Sequence, residues 1–303
     1  MADVNLTTQA TSLAQYFLDN SNSPTSPSPI TISETTHRLA ILSSFSIPPG
    51  SRVLEIGCGQ GDSTIVLASL VGPTGHVDAY DPGSPDYGSP FTLGQSQAFI
   101  KAGALGSRIE FHRTIPFQDN DDKDNVKEYD FIVLSHCIYY FASPRILPAL
   151  LASLPKSKFL CIAEWSLHAS APAQVPHVLT ALLLSLLESK REVESTGNIR
   201  TVLSPAQISR IVRETGIWVL EGGSGSGELK VTGEGLPHAY WEVKDLMRKK
   251  EGVLTGEGME LLEGERTVIR AMYDSIEQGV EQLGGVEGVR CMDVWVARFR
   301  EEG

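Results

Sequence analysis

Val53-Leu54-Glu55-Ile56-Gly57-Cys58-Gly59-Gln60-Gly61-Asp62-Ser63-Thr64 is the stretch that decides how this chain folds. Residues 51–56 form a compact, largely apolar run with the character of a strand. Glycines at 57, 59 and 61 then make a tight turn. Asp62-Ser63-Thr64 can cap a helix running through Ile65–Val71, which Gly72-Pro73 ends. A strand, a glycine turn and a helix in that order mark the place where a doubly wound sheet binds an adenosine-containing ligand.

Downstream the pattern repeats. His76–Tyr80 is a second strand with Asp81-Pro82 at its end, 93–104 a helix, 108–112 a third strand and 119–128 a charged, solvated loop. Tyr129–Ser135 (YDFIVLS) is nearly all apolar, as a central parallel strand buried on both faces must be. A helix at 144–154 leads to a fifth strand, Phe159–Glu164. Strands alternating with helices predict an α/β fold with a doubly wound, mostly parallel sheet.

The second half is more helical. An apolar helix spans 173–192 with an interruption expected near Pro176, and Ser204-Pro205 opens a helix that ends before Gly216. Ile217–Glu221 is a sixth strand, Gly222–Gly227 a flexible loop, 238–250 and 257–283 further helices, and Cys291–Phe299 the last strand. Ahead of the glycine turn come a short amphipathic helix at 7–19, a Ser/Pro-rich linker, and a helix from Ile32 to about Ser46 that Pro48-Pro49-Gly50 stops. The organisation predicted is an N-terminal helix and linker over 1–30, then one domain over 31–303 with helical insertions at about 166–203 and 223–288.

Composition excludes several classes. The 303 residues are 41% apolar and 20% charged, with 28 Gly and 17 Pro, which is ordinary for a globular protein. The net charge of −12 disfavours general binding to nucleic-acid backbones. No run approaches the roughly 18 apolar residues of a membrane span. The start, MADVNLTTQATSLAQ, has neither the basic segment nor the apolar stretch of a secretory signal, so a cytoplasmic or nucleocytoplasmic protein is expected. Cys58, Cys137, Cys161 and Cys291 stand far apart without a CxxC pair, which argues for buried thiols over zinc or disulfides.

The chemistry of the glycine turn lies in its neighbours. A dinucleotide loop needs GxGxxG so that a pyrophosphate can sit on the helix N-terminus. Here the third glycine comes one residue early, and Glu55 and Asp62 flank the turn. Two carboxylates repel a pyrophosphate and attract a cation. Asp81, at the end of the second strand, stands where a carboxylate accepts both hydroxyls of a ribose. A ribose, an adenine and a positive centre together describe S-adenosylmethionine. The plainer alternative is that Glu55 only ends a strand and Asp62 only caps a helix.

VLEIGCGQG followed by HVDAYDP and YDFIVLSHCIYYF resembles the class I S-adenosylmethionine-dependent methyltransferases, strongly over about residues 50–165. The resemblance implies a seven-stranded sheet with an antiparallel last strand. It implies that Gly57, Cys58, Gly59, Gln60 and Gly61 wrap the methionine and ribose, with Glu55 near the methionine end. Asp81 would take the ribose hydroxyls and Pro82 would flank the adenine, while Ser135 and His136 line the site beside the methyl donor. Many relatives hold the adenine amino group with an acid just beyond the third strand. Here that stretch is His112-Arg113-Thr114-Ile115, so Asp119, Asn120 or a backbone carbonyl must serve.

His136 is the leading candidate for a general base and His168 the second. Either could instead shape the pocket through a backbone hydrogen bond. Tyr139, Tyr140, Trp165 and Trp241 are candidate substrate walls, with core packing the alternative. The apolar helices of the insertions suit a lid over a small acceptor or a homodimer interface. SHCIYY stands where amino-directed nucleic-acid methyltransferases carry Asn/Asp-Pro-Pro-Tyr, and Asp130 and Glu164 are too isolated to hold a metal. A methyltransferase for a small apolar or aromatic metabolite, without metal or membrane partner, is the expectation. A protein methyltransferase and a repurposed, inactive cofactor binder are the alternatives.

Overall fold

A computed structural model describes residues 2–19, 27–114 and 128–302, apart from residues 192, 194, 222–227, 234, 237, 238 and 257. The Ser/Pro-rich stretch at 20–26, the charged loop with Asp119 and Asn120, and the Gly/Ser loop at 222–227 lie outside the described residues. In chain order the elements are α1 (Ala2–Ala14), α2 (Pro29–Ser44), β1 (Arg52–Ile56), α3 (Asp62–Leu70), β2 (His76–Tyr80), α4 (Leu93–Ala102), β3 (Ile109–His112), β4 (Tyr129–Ser135) and α5 (Ile146–Ser153). They continue with β5 (Ser157–Trp165), α6 (Val175–Glu188), α7 (Pro205–Glu214), β6 (Trp218–Leu220), β7 (Glu228–Val231), α8 (Ala239–Arg248), α9 (Lys250–Thr255), α10 (Glu263–Gln282) and β8 (Val294–Glu301).

The sheet runs β3-β2-β1-β4-β5-β8-β6. The first five strands are parallel and β8 is antiparallel to its neighbours. The carboxyl ends Ile56, Tyr80, Ser135 and Trp165 therefore share one edge, and Trp165 pairs with Val294 at the start of β8. The expected count of seven strands becomes eight because the sixth is interrupted. β6 pairs Leu220 with Phe299, the Glu221 N–H donates to Arg298 O, and β7 resumes on the same edge with Glu228 opposite Ala297. A four-residue edge segment, ELKV, is too short to announce itself by alternation.

Both faces of the sheet are covered. Val53, Val77 and Val133 pack on one side with Leu39 and Leu42 of α2 and Ile65 and Leu67 of α3. Leu54, Ile132 and Leu134 pack on the other with Leu147 and Leu151 of α5 and Ile208 and Val212 of α7. Adjacent apolar residues such as Val53 and Leu54 are needed because neither face meets water. The two insertions share a third core, with Leu183 and Leu187 of α6 against Val243 and Leu246 of α8 and Ile269, Tyr273 and Ile276 of α10.

Local capping explains most boundaries. Ser28 Oγ accepts the Thr31 N–H at 3.1 Å and Pro29 fills the first turn of α2, so that helix begins three residues before the expected Ile32. Thr92 with Gln95, and Ser204 with Gln207, form reciprocal capping boxes at α4 and α7. Pro176 does not interrupt a helix as expected; it occupies the first turn of α6, where a missing N–H has no intrahelical partner to lose. α1 begins at Ala2, earlier than the expected residue 7, and inserts Ala10 and Leu13 into the core beside α2.

Candidate active site

The turn from β1 to α3 is fastened to the end of β2. The N–H groups of Gly57 and Cys58 both donate to Tyr80 O, at 2.8 and 3.1 Å. Asp81 bridges two turns, its Oδ2 accepting the Gly59 N–H at 2.7 Å and its Oδ1 the Gly83 N–H at 2.8 Å. Gln97 Nε2 donates to Gly59 O at 2.6 Å, and Gln60 Nε2 donates to Phe91 O at 2.6 Å. A side chain on Gly57 would overlap that of Cys137. Gly59, at φ +53°, has nothing within 4 Å of where a Cβ would stand, so the turn keeps an open face.

Acidic groups crowd this turn. Glu55 is fully buried and accepts the Thr64 hydroxyl at 2.6 Å; burial pushes its carboxyl up to about 7 against that bond. Burial also raises Asp62, and burial with the nearby Asp62 charge pushes Glu34 of α2 up to about 7. Arg38, one helical turn beyond Glu34, is the cation whose charge lowers Glu34, Glu55, Asp62 and Glu164 together. A cavity lined by Glu34, Arg38, Gln60, Asp62 and Ser96 opens between α2 and the turn.

These residues fit S-adenosylmethionine. The open face at Gly59 leaves room for a nucleoside, Asp81 has lone pairs beyond its two backbone bonds, and the buried acids are completed by a cation. Arg38 is the complement for a carboxylate beside an ammonium. Among the described residues no group of three His, Cys, Asp or Glu could hold a metal ion.

Beyond β4 and β5 the carboxyl edge carries rings and one acid. Ser135 lies within 3.5 Å of Ser63 Oγ. His136, at φ +52°, holds a left-handed backbone conformation that costs a residue with a Cβ free energy, and its N–H donates to Ala163 O. Its Nδ1 stands 3.7 Å from Glu164 Oε1. Glu164 is buried at the end of β5 and accepts the N–H groups of Ile138 and Trp165, both at 2.9 Å; burial outweighs those bonds and pushes it up to about 7. The Trp165 ring packs at 4.4 Å from His136 and stacks near His37 of α2, while His177 of α6 meets it edge-on at 5.2 Å.

The remaining residues singled out in the sequence fall in different places. Tyr139 is buried and its hydroxyl donates to Trp165 O at 3.0 Å, inside a small core with Ala181, Ile199 and Met292. Tyr140 is 44% exposed, yet burial and the charge of Glu242 from α8 raise its hydroxyl, with Tyr87, Arg38 and Glu164 also felt. Trp241 is half exposed beside Tyr240, while the next residue, Glu242, turns inward. His168 is half exposed, presented after Leu167 at φ +57°, and its Nδ1 lies 3.0 Å from Asp293 Oδ2 just before β8. Ser170 and Gln174 donate to the other oxygen of Asp293. Pro82 is exposed beside Asp81. The four cysteines are buried free thiols.

Sequence reading passed over Arg38, His37, His177, Glu242 and Asp293, and weighed Glu164 only as a metal ligand. Only Glu164 carried a signal, an acid ending an otherwise apolar strand as Glu55 does in β1.

The sheet order, the glycine turn and the acid after β2 define a class I S-adenosylmethionine-dependent methyltransferase. The chain belongs to that family: the profile of the methyltransferase-domain family matches residues 31–221. It is 27% identical over 291 residues to methyltransferase phomM' of Diaporthe leptostromiformis, covering 83% of this chain and 74% of that protein. Methyltransferase phomM of the same organism is 30% identical over 162 residues, 47% of this chain and 42% of that one, so the match spans under half of that relative. Among solved structures, a cyclopropane-fatty-acyl-phospholipid synthase-like protein from Lactobacillus casei superposes with a TM-score of 0.75 at 28% identity, over 97% of this chain and 99% of that one. Among the described residues no helix is long and apolar enough to cross a membrane.

Proposed function

We propose that this enzyme methylates a small molecule held in a cleft at the carboxyl edge of the sheet, under a roof made by the helices of its two insertions. The observation that carries the reading is the shared third core: α6, α8 and α10 bury Leu183, Val243, Ile269 and Tyr273 against one another, set His177 edge-on to Trp165 and bring Glu242 to His177. A roof of that kind excludes water and suits a compact acceptor better than an extended protein chain.

When bound, S-adenosylmethionine supplies a methyl group on an electrophilic sulfonium. The turn at 57–61 would orient that ligand, Asp81 would hold its ribose hydroxyls, Arg38 its carboxylate, and Glu55 and Asp62 would complement its positive charges. His136 is the base that removes a proton from the acceptor, with Glu164 behind its Nδ1 to stabilise the imidazolium. Alignment alone can supply roughly 7–11 kcal/mol, so the rigid seat of the His136 turn matters as much as its basicity. His168, oriented by Asp293, is a second base on the same edge. Tyr140 and Trp165 form cleft walls; Tyr139 supports Trp165 from the core.

Titration calorimetry with S-adenosylmethionine and S-adenosylhomocysteine, followed by a mass-based product screen over small-molecule and peptide acceptors, tests the reading. Micromolar cofactor binding and a product 14 Da heavier from a small acceptor support it (order of magnitude for this class of affinity). Binding without product from any acceptor, or product from peptides only, overturns it.

A further inference from the structure

The two insertions meet at a histidine–glutamate pair. His177, on α6, is fully buried, and its Nδ1 accepts the backbone N–H of Met292 at 2.9 Å. A ring nitrogen that accepts an amide proton carries the lone pair, so the imidazole proton sits on Nε2. Nε2 lies 3.0 Å from Glu242 Oε2, so the ring donates to that carboxylate and fixes its direction.

The pair is close to the methyl-transfer edge. Trp165 meets His177 edge-on at 5.2 Å and packs against His136 at 4.4 Å, so two rings connect the carboxylate to the candidate base. Glu242 is 27% exposed, and its charge is felt at the hydroxyl of Tyr140. Among the described residues, His177 is the partner recorded for Glu242 in an ion pair, and no lysine or arginine pairs with it. A partly buried carboxylate whose recorded partner is a ring N–H and not a lysine or arginine is costly to desolvate further beneath an apolar ligand. A ligand bearing a basic nitrogen satisfies it instead.

We infer that Glu242, aimed by His177, selects a methyl acceptor that carries a basic nitrogen, with Glu242 setting specificity and His177 acting as its positioning residue. This rests on the small-molecule reading above and narrows its acceptor class. An alcohol or hydrocarbon of the same shape leaves Glu242 without a complement and binds less well. The conformation of α8 matters here: Trp241 points outward and Glu242 inward, so the second insertion offers the cleft an acid where the sequence suggested an aromatic wall.

The test uses the full chain saturated with S-adenosylhomocysteine. Calorimetry compares benzylamine, phenethylamine and tyramine with benzyl alcohol, 2-phenylethanol and tyrosol. At least one amine is expected to bind tenfold or more tighter than its alcohol, a difference of about 1.4 kcal/mol. Glu242→Gln should remove that preference while leaving S-adenosylhomocysteine affinity unchanged. His177→Leu should weaken it, and His177→Gln, whose amide can accept from Met292 and donate to Glu242, should restore most of it. Equal binding of amine and alcohol, binding of neither, or a Glu242→Gln protein that keeps the preference overturns the inference. The wild-type comparison needs no variant to fold. A protein that fails to bind S-adenosylhomocysteine at all sinks the methyltransferase reading first, which separates the two failures.

Discussion

The Gly59 N–H donates to Asp81 Oδ2 at 2.7 Å, tying the tip of the glycine turn to the acid that ends the second strand. One carboxylate thus shapes the glycine turn, and in the proposed complex it would also accept the ribose hydroxyls. Its second oxygen anchors Gly83, so the side chain is oriented before any ligand arrives. Such preorganisation lowers the ordering cost of binding.

Replacing Asp81 by Ala should therefore weaken S-adenosylmethionine binding at least tenfold, about 1.4 kcal/mol, through loss of the ribose acceptor and loosening of the Gly59 turn. Calorimetric titration reads the dissociation constant, and an unchanged value would remove the ribose assignment. Because Asp81 is only half buried, the melting temperature of the ligand-free variant should stay within a few degrees of wild type, on the order of a surface substitution.

Glu55 should make cofactor binding pH-dependent. Burial lifts its folded value to about 7 from 4.5, so between those values the folded protein holds a proton that the unfolded chain has lost. Stability of the ligand-free protein contributed by this group therefore falls as pH rises from about 5 to 7. Glu34 and Glu164 act in the same direction. Asp293 and Asp130, held below their usual range, contribute stability that is already complete in this window and is lost only as pH falls below the usual carboxylate range, so they do not offset it. A cationic ligand favours the ionised acids, so affinity for S-adenosylmethionine should rise from pH 6 to pH 8 with proton release near pH 7. Glu55→Gln should flatten that slope; an identical slope in the variant would refute the assignment.

The left-handed backbone at His136 lets the proposed base be tested apart from the scaffold. His136→Asn keeps a residue type that tolerates positive φ and removes the base. Turnover should fall by about 10²-fold or more while S-adenosylhomocysteine affinity changes little. Glu164→Gln should lower turnover less and shift the pH profile of kcat, since it alters the charge facing Nδ1 and retains an acceptor for the Ile138 N–H. If His136→Asn leaves turnover intact and Asp293→Asn abolishes it, the base is His168.

Gly57→Ala should destabilise the whole domain. The added methyl overlaps Cys137 at φ +76°, so the β1–α3 turn or the post-β4 segment must shift. A loss of roughly 1–3 kcal/mol is expected, read as a lower midpoint in urea. A midpoint equal to wild type would show that the two segments can part without loss.

Much of this protein was legible because its signals are local. The strand–glycine–helix unit at 52–70, the apolar β4, the caps at Thr92 and Ser204, and Asp81 one strand away all carry their meaning within a few residues. Backbone sterics and hydrogen bonding act over that range, so order along the chain suffices to read the parallel sheet and its cofactor. The tertiary structure alone decided that β6 stops and resumes as β7, since an edge segment of four residues is specified by β8 rather than by its own pattern. It also decided which rings and acids meet at the carboxyl edge. His37, His136, Glu164, Trp165, His177 and Glu242 come from five segments spread over more than two hundred residues, and no period or spacing links them. Their meeting depends on β4 and β5 ending at one edge, on α2 crossing it, and on α6 and α8 burying a common core, and these long-range packing choices leave no local trace in the order of amino acids.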